Sequence, residues 1–268
     1  MGKALHVVTG GLVAAPVAPG LPIVMVANDS LTIRKSVAGA KSRLLSAWAF
    51  LQTGGTINIA SPLLHDQNNA INVLVPAAET EPFFAPGIIQ DLKAEDTLQV
   101  GMIGTAAALD QDNVSLLFQY DDADGVDADL ATYEEIKDKI LNLKTIHTTH
   151  VCGVAGGYSG AVLLNAAANV GVLKGNSRYA LLGLRANLRC QTIGITGPDT
   201  GNLRIGAPGN ITDRDKVQGW FKMLSEKTGL PCIPIIDSAN VASTMIDIVN
   251  NENALTVIVS SLWAELAA

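Results

Sequence analysis

Four histidines, three cysteines and one dense run of aspartates are the side chains whose spacing could carry chemistry in this chain. His147 and His150 stand three apart in a stretch that reads as a strand. That spacing puts two strand side chains on opposite faces, so the pair makes poor co-ligands for one metal. Gly156-Gly157-Tyr158-Ser159-Gly160 approaches a nucleophile elbow. An elbow needs glycine two places after the serine and a strand–turn–helix around it. Ala161 stands there instead, and the flanking pattern is a turn followed by a strand. Ser159 is therefore read as a turn residue, and no catalytic residue is expected.

The acidic run holds Asp121, Asp122, Asp124, Asp127 and Asp129. Asp122-Ala123-Asp124-Gly125 has the look of a calcium loop. An EF-hand register would put Tyr120 at position 1 and Ala131 at position 12, where oxygen ligands are required. A looser calcium site built from Asp121, Asp124, Asp127 and Asp129 is the one metal candidate, and a solvated acidic linker is the competing reading. Cys152, Cys190 and Cys232 lack metal-ligand spacing, and their odd number excludes a complete internal disulfide framework. Cys190 and Cys232 lie in apolar contexts and read as small core residues. No cofactor and no enzymatic activity are expected.

The elements around these residues follow a duplicated order. Thr56-Ile57-Asn58-Ile59-Ala60-Ser61-Pro62 returns as Thr192-Ile193-Gly194-Ile195-Thr196-Gly197-Pro198. Each copy is followed by a polar turn and a second strand that stops at proline, Ile71–Pro76 and Leu203–Pro208. Each is preceded by a Ser-Arg pair, Ser42-Arg43 and Ser177-Arg178, that opens an apolar strand. Strands starting near Thr97 and Asp112 in the first copy match strands near Thr244 and Asn253 in the second. A period this long exceeds that of solenoid repeats, which run at roughly 20–50 residues. It predicts two tandem β units of one topology. Leu44 to Phe50 is a nearly continuous apolar run, as expected of a strand buried on both faces. Turn chemistry at Thr53-Gly54-Gly55, Asp66-Gln67-Asn68-Asn69 and Asp110-Gln111-Asp112-Asn113 separates short strands in the manner of a sandwich or jelly roll.

The expected layout has five parts. Residues 1–27 read as an extended N-terminal arm that docks on a neighbour or on lipid. Residues 28–122 form the first β unit, which includes a strand at Ser30–Arg34. Residues 123–144 are an acidic linker with a helix, capped by the box Thr132-x-x-Glu135 and striped by Ile136, Ile140 and Leu143. Residues 145–268 form the second unit. A helix at about 213–229 is inserted in it, with Val217, Trp220, Phe221 and Leu224 on one face and Gly229 as its stop. No apolar run reaches the roughly 18–20 residues that span a bilayer, so any membrane contact would be peripheral.

Composition narrows the function. Charged residues make up 16% and hydrophobic ones 48%, and so little charge suggests an exterior covered by other subunits. Net charge is −7, and residues 1–150 hold 17 acidic and 9 basic side chains against 8 and 9 in residues 151–268. No basic footprint suits a phosphate backbone, so direct nucleic-acid binding is not expected. The acidic first unit should meet neutral or basic faces of the second, with Arg185 and Arg189 as candidate contacts. A two-domain cupin would need closely spaced His and carboxylate ligands in each unit, and neither unit has them.

The duplicated β unit, the helical insertion, the arm and the low charge resemble the double jelly-roll major capsid proteins of tailless icosahedral viruses, the lineage shared by membrane-containing phages and adenovirus. The resemblance runs from about Leu31 to Leu266, and its nearest thing to a signature is the repeated Ile-x-Ile-x-x-Pro at Ile57–Pro62 and Ile193–Pro198. It implies an all-β fold of two tandem jelly rolls, a capsid protein in homotrimers of pseudo-hexameric outline, and a virion location after assembly in a host cytoplasm. The implied partners are copies of itself, minor capsid or vertex proteins, and an inner membrane touched by the arm. Two rivals are a glycan-binding or glycan-active tandem jelly-roll protein and a minor virion protein of spike or vertex type. The glycan reading needs exposed aromatics, whereas Trp48, Trp220 and Trp263 all sit in apolar contexts that suggest core.

Overall fold

Alternating and continuous apolar runs, cut by Gly, Asn, Asp and Pro, produce a chain of antiparallel strands. The computed structural model describes residues 3–13, 42–51, 54–60, 71–76, 80, 82–84, 87–92, 98–104, 111–120, 127–153, 156–188, 190–209, 219–250 and 254–267. The first half contains β1 (Ala4–Val13), β2 (Ser42–Phe50), β3 (Gly55–Ala60), β4 (Ile71–Val75), β5 (Pro82–Phe84), β6 (Gln90–Leu92), β7 (Gln99–Gly104) and β8 (Gln111–Tyr120). They make two sheets. One has the order β1-β8-β2-β5, with β6 also paired to β2, and the other has the order β4-β3-β7.

The second half begins with β9 (Leu130–Ala131) and the single-turn helix α1 (Tyr133–Ile136). It continues through β10 (Ile140–Val151), β11 (Tyr158–Leu163), β12 (Arg178–Ala186), β13 (Thr192–Thr196) and β14 (Ile205–Pro208). Helix α2 (Trp220–Thr228) follows, then β15 (Ile233–Asp237), β16 (Met245–Val249) and β17 (Thr256–Leu266). The two sheets are β10-β17-β12-β15-β9 and β11-β16-β13-β14.

The sequence repeats occupy matching places. β3 and β13 carry the Thr-Ile-x-Ile element, and each is an inner strand of the smaller sheet in its half, flanked by β4 and β7 or by β14 and β16. β2 and β12, opened by the Ser-Arg pairs, each pair with the last strand of their half, β8 and β17.

Three expectations change. Part of the expected arm is a sheet strand: β1 pairs residue for residue with β8 from Ala4↔Tyr120 to Val13↔Gln111, and Leu5, Val7 and Val8 are buried. Residues 14–27 of that arm, and the strand expected at Ser30–Arg34 in the first unit, lie outside the described residues. The linker helix is one turn. Thr132 Oγ1 accepts from Glu135 N–H and Glu135 Oε2 accepts from Thr132 N–H at 2.7 Å, as the capping box requires. The backbone then passes through a short 3₁₀ turn at Lys137–Lys139, and Ile140 and Leu143 become part of β10. β10's ladder with β17 claims those residues, so pairing overrides the helical period. β15 was not foreseen, because Pro234 inside it argues against an inner strand. Pro234 lies in a four-residue Ile-Pro-Ile-Ile run between two partners, β12 and β9, whose registers leave its missing N–H out of the β12 ladder. The described part of the insertion, α2, buries Trp220, Phe221, Leu224 and Ser225 and ends at Gly229, which adopts φ 67°. Val217 lies outside the described residues.

Two cores result. One holds Val8, Leu44, Ala49, Ile57, Val114, Leu116 and Phe118 of the first half. The other holds the interior of the second half together with Leu5, Val7, Leu45, Trp48 and Leu117 of the first. The β1-β8-β2 sheet thus has each face in a different core, which explains the continuous apolar run in β2. Among the described residues no helix is long and apolar enough to cross a membrane.

Candidate functional site

Of the residues singled out for chemistry, Ser159 and Cys152 are brought into contact. Asp121 and Asp124 lie outside the described residues. Asp127 is exposed, and Asp129 forms an ion pair with Arg178. Among the described residues no group of three or more His, Cys, Asp or Glu side chains gathers at metal-ligand distance. Ser159 Oγ accepts from Gly153 N–H at 3.1 Å and donates to Cys152 Sγ at 3.6 Å. His147 is exposed and His150 buried, on opposite faces of β10 as the spacing dictates. His150 Nδ1 donates to Gly160 O at 2.7 Å, and its Nε2 meets Thr148 Oγ1 at 2.6 Å. Burial holds its pKa below the ordinary imidazole value, with the Gly160 carbonyl acting weakly against that. All three cysteines are thiols outside any disulfide, and all are buried. Burial pushes the Cys232 thiol up to about 12 and Cys190 higher still. Arg185 is half-buried on β12, and Arg189 lies outside the described residues.

A cleft of about 480 Å³ is lined by residues of 175–178, 237–239 and 266–267, none of them aromatic. Trp48, Trp220 and Trp263 are all fully buried.

The built feature is the junction between the halves. β1, β8 and β2 turn Leu5, Val7, Thr9, Ser115, Leu117 and Trp48 toward the second half, while alternate residues point into the first core. The opposing surface is one face of the β11-β16-β13-β14 sheet, whose other face presents Ile193, Ile195, Ile246 and Ile248 to the second core. Trp48 Nε1 donates to Thr192 Oγ1 at 2.9 Å and to Gln191 O at 3.1 Å. Thr192 Oγ1 shares a 2.7 Å hydrogen bond with Ser115 Oγ, which meets Thr9 Oγ1 at 2.8 Å. Thr9 Oγ1 meets Tyr158 OH, also at 2.8 Å. The chain of hydroxyls satisfies polar groups that burial would otherwise penalise.

Apolar contacts flank it. Trp48 meets Trp220 edge to face, with centroids 5.8 Å apart. Val7 N–H donates to Arg204 O at 2.8 Å. The Arg204 guanidinium lies 3.7 Å from the centre of the Tyr158 ring and pairs with Asp247 at 3.0 Å. Gly206 lies so near Val7 that a Cβ there would fall 2.4 Å from Val7 Cγ1. A side chain of any size would push the two sheets apart.

No local sequence pattern states which faces meet at this junction. Its trace was present in the doubly apolar Leu44–Phe50 run, since only a covered outer face explains a strand apolar on both sides. The chain matches no protein-family model and no curated protein sequence.

Proposed function

We propose that the chain is a double jelly-roll shell protein, the major capsid protein of a tailless icosahedral virus. The observation that carries the reading is strand order. Numbering the second half's eight strands from β10 to β17, its sheets run first-last-third-sixth and second-seventh-fourth-fifth. That order is the one two Greek keys generate in an eight-stranded jelly roll. The first half follows the same scheme in β1-β8-β2-β5 and β4-β3-β7. Residues 14–41, between β1 and β2, lie outside the described residues.

Function then follows from repetition of shape. Two rolls fused face to face supply two of six similar blocks, and three chains give a trimer of hexagonal outline that tiles a shell. The low charge of the chain suits an exterior shared with neighbours. Copies of itself are the chief partner, with vertex proteins and an inner membrane as further contacts in a virion.

The test is the native mass of the purified protein by light scattering. A trimer is expected. A monomer at every concentration would overturn the reading and direct work toward glycan binding.

A further inference from the structure

We infer that one end of the junction is a hydrated seam, where the buried amides of Asn113 and Gln191, with the indole N–H of Trp220, bind ordered water between the two halves. Eight buried side-chain atoms make no hydrogen bond among the described residues, and five of them belong to these three side chains. They are Asn113 Nδ2 and Oδ1, Gln191 Nε2 and Oε1, and Trp220 Nε1. None of the three residues is more than 1% exposed. Buried polar groups in folded proteins find a partner in the protein or in ordered water, because burial without one forfeits their hydration. The gathering of these atoms at one place marks a site rather than scattered defects.

Register brings them together. The β1-β8-β2 sheet presents successive rows to the second half: Val7 with Leu117, then Thr9 with Ser115 and Trp48, then Gly11 with Asn113 and Phe50. The first row lies on Gly206, which pairs with Gly194, and the second lies on Thr192, two residues earlier in β13. The third row therefore falls just past Thr192, at the level of Gln191. Val114 points into the first core, so Asn113 shares the face of Ser115. Gln191 is held there by its carbonyl, which accepts from Trp48 Nε1 at 3.1 Å, and Trp220 packs edge to face on that same Trp48.

The donor set selects the ligand. Each amide offers two N–H donors and a carbonyl acceptor, and the indole adds a donor. A cation would satisfy the oxygens and leave the N–H groups unmet, and an anion would do the reverse. Water donates and accepts, and a buried water commonly makes about three hydrogen bonds to groups of this kind. The middle of the junction is bonded directly through Thr9, Ser115 and Thr192, whereas this end is bridged through solvent. Water at the seam is independent of the shell reading.

The test is a crystal structure of the full-length protein at a resolution that shows ordered solvent. Solvent peaks within hydrogen-bond reach of the Asn113 and Gln191 amide atoms, roughly 2.7–3.2 Å, are expected. Amides that bond directly to each other or to other protein atoms, with no solvent peak beside them, overturn the inference. A second measurement works in solution. Oxygen-17 magnetic relaxation dispersion reports long-lived buried waters, and Asn113→Leu combined with Gln191→Met removes both amides while nearly keeping their shapes. The double variant should lose part of the wild-type dispersion amplitude while its circular dichroism spectrum stays the same. An unchanged amplitude in the folded variant overturns the inference. Should the double variant fail to fold, the wild-type crystal structure decides the matter alone.

Discussion

Trp48 donates its indole N–H to Thr192 Oγ1 at 2.9 Å, across the face where the two halves of the chain meet. The residues are 144 apart in sequence, and both are fully buried. The bond is the centre of a junction that makes the second core continuous with the outer face of the first sheet. Truncating Trp48→Ala should cost about 3–5 kcal/mol, as large buried aromatics do. Thr192→Val should cost about 1 kcal/mol, because Trp48 keeps Gln191 O and Ser115 keeps Thr9. Urea unfolding followed by circular dichroism measures both. The wild type should unfold in one transition, and Trp48→Ala should separate the halves into two.

Gly206 and Val7 set the spacing of the same junction. Gly206→Ala puts a methyl where Val7 Cγ1 stands and should destabilise by about 1–3 kcal/mol through overpacking. Val7→Ala in the same chain vacates that space. The double variant should therefore be more stable than the sum of the single changes predicts, a coupling that a double-mutant cycle measures.

His150 gives the pH dependence a sign. Burial lowers its folded pKa below the unfolded value of about 6.5, so the unfolded chain binds the proton more readily. Its contribution is full above that unfolded value and declines as pH falls below it, down to the lower folded pKa. The melting temperature should drop between pH 7 and 5. In His150→Gln that part of the drop should disappear, leaving a flatter profile from a lower starting point. An unchanged slope would remove His150 from the account.

The three thiols are buried, and burial raises Cys190 and Cys232 far above neutral pH. A thiolate-selective aromatic disulfide should label none of them in the native protein and all three in urea. Fast labelling of Cys190 or Cys232 without denaturant would mean that the second core opens.

The sequence carried the β architecture further than the site. The Thr-Ile-x-Ile repeat located β3 and β13 because a two-residue period with β-branched residues reads directly as strand. Cys190, Cys232 and the three tryptophans were legible as core from their apolar neighbours. β1 was misread because Gly10 and Gly11 break its apolar pattern, and only its ten-residue pairing with β8 reveals a strand. The linker helix was overextended because Ile136, Ile140 and Leu143 fit a helical stripe equally well. The Trp48–Thr192 junction was hidden because no local pattern states which distant face covers a strand's outer side.

The most direct test of the central claim is two-dimensional class averaging of the purified assembly by electron microscopy. Particles with three-fold symmetry and six similar lobes, two from each chain, are expected. Particles with a single two-fold axis, or isolated two-lobed monomers, would contradict it.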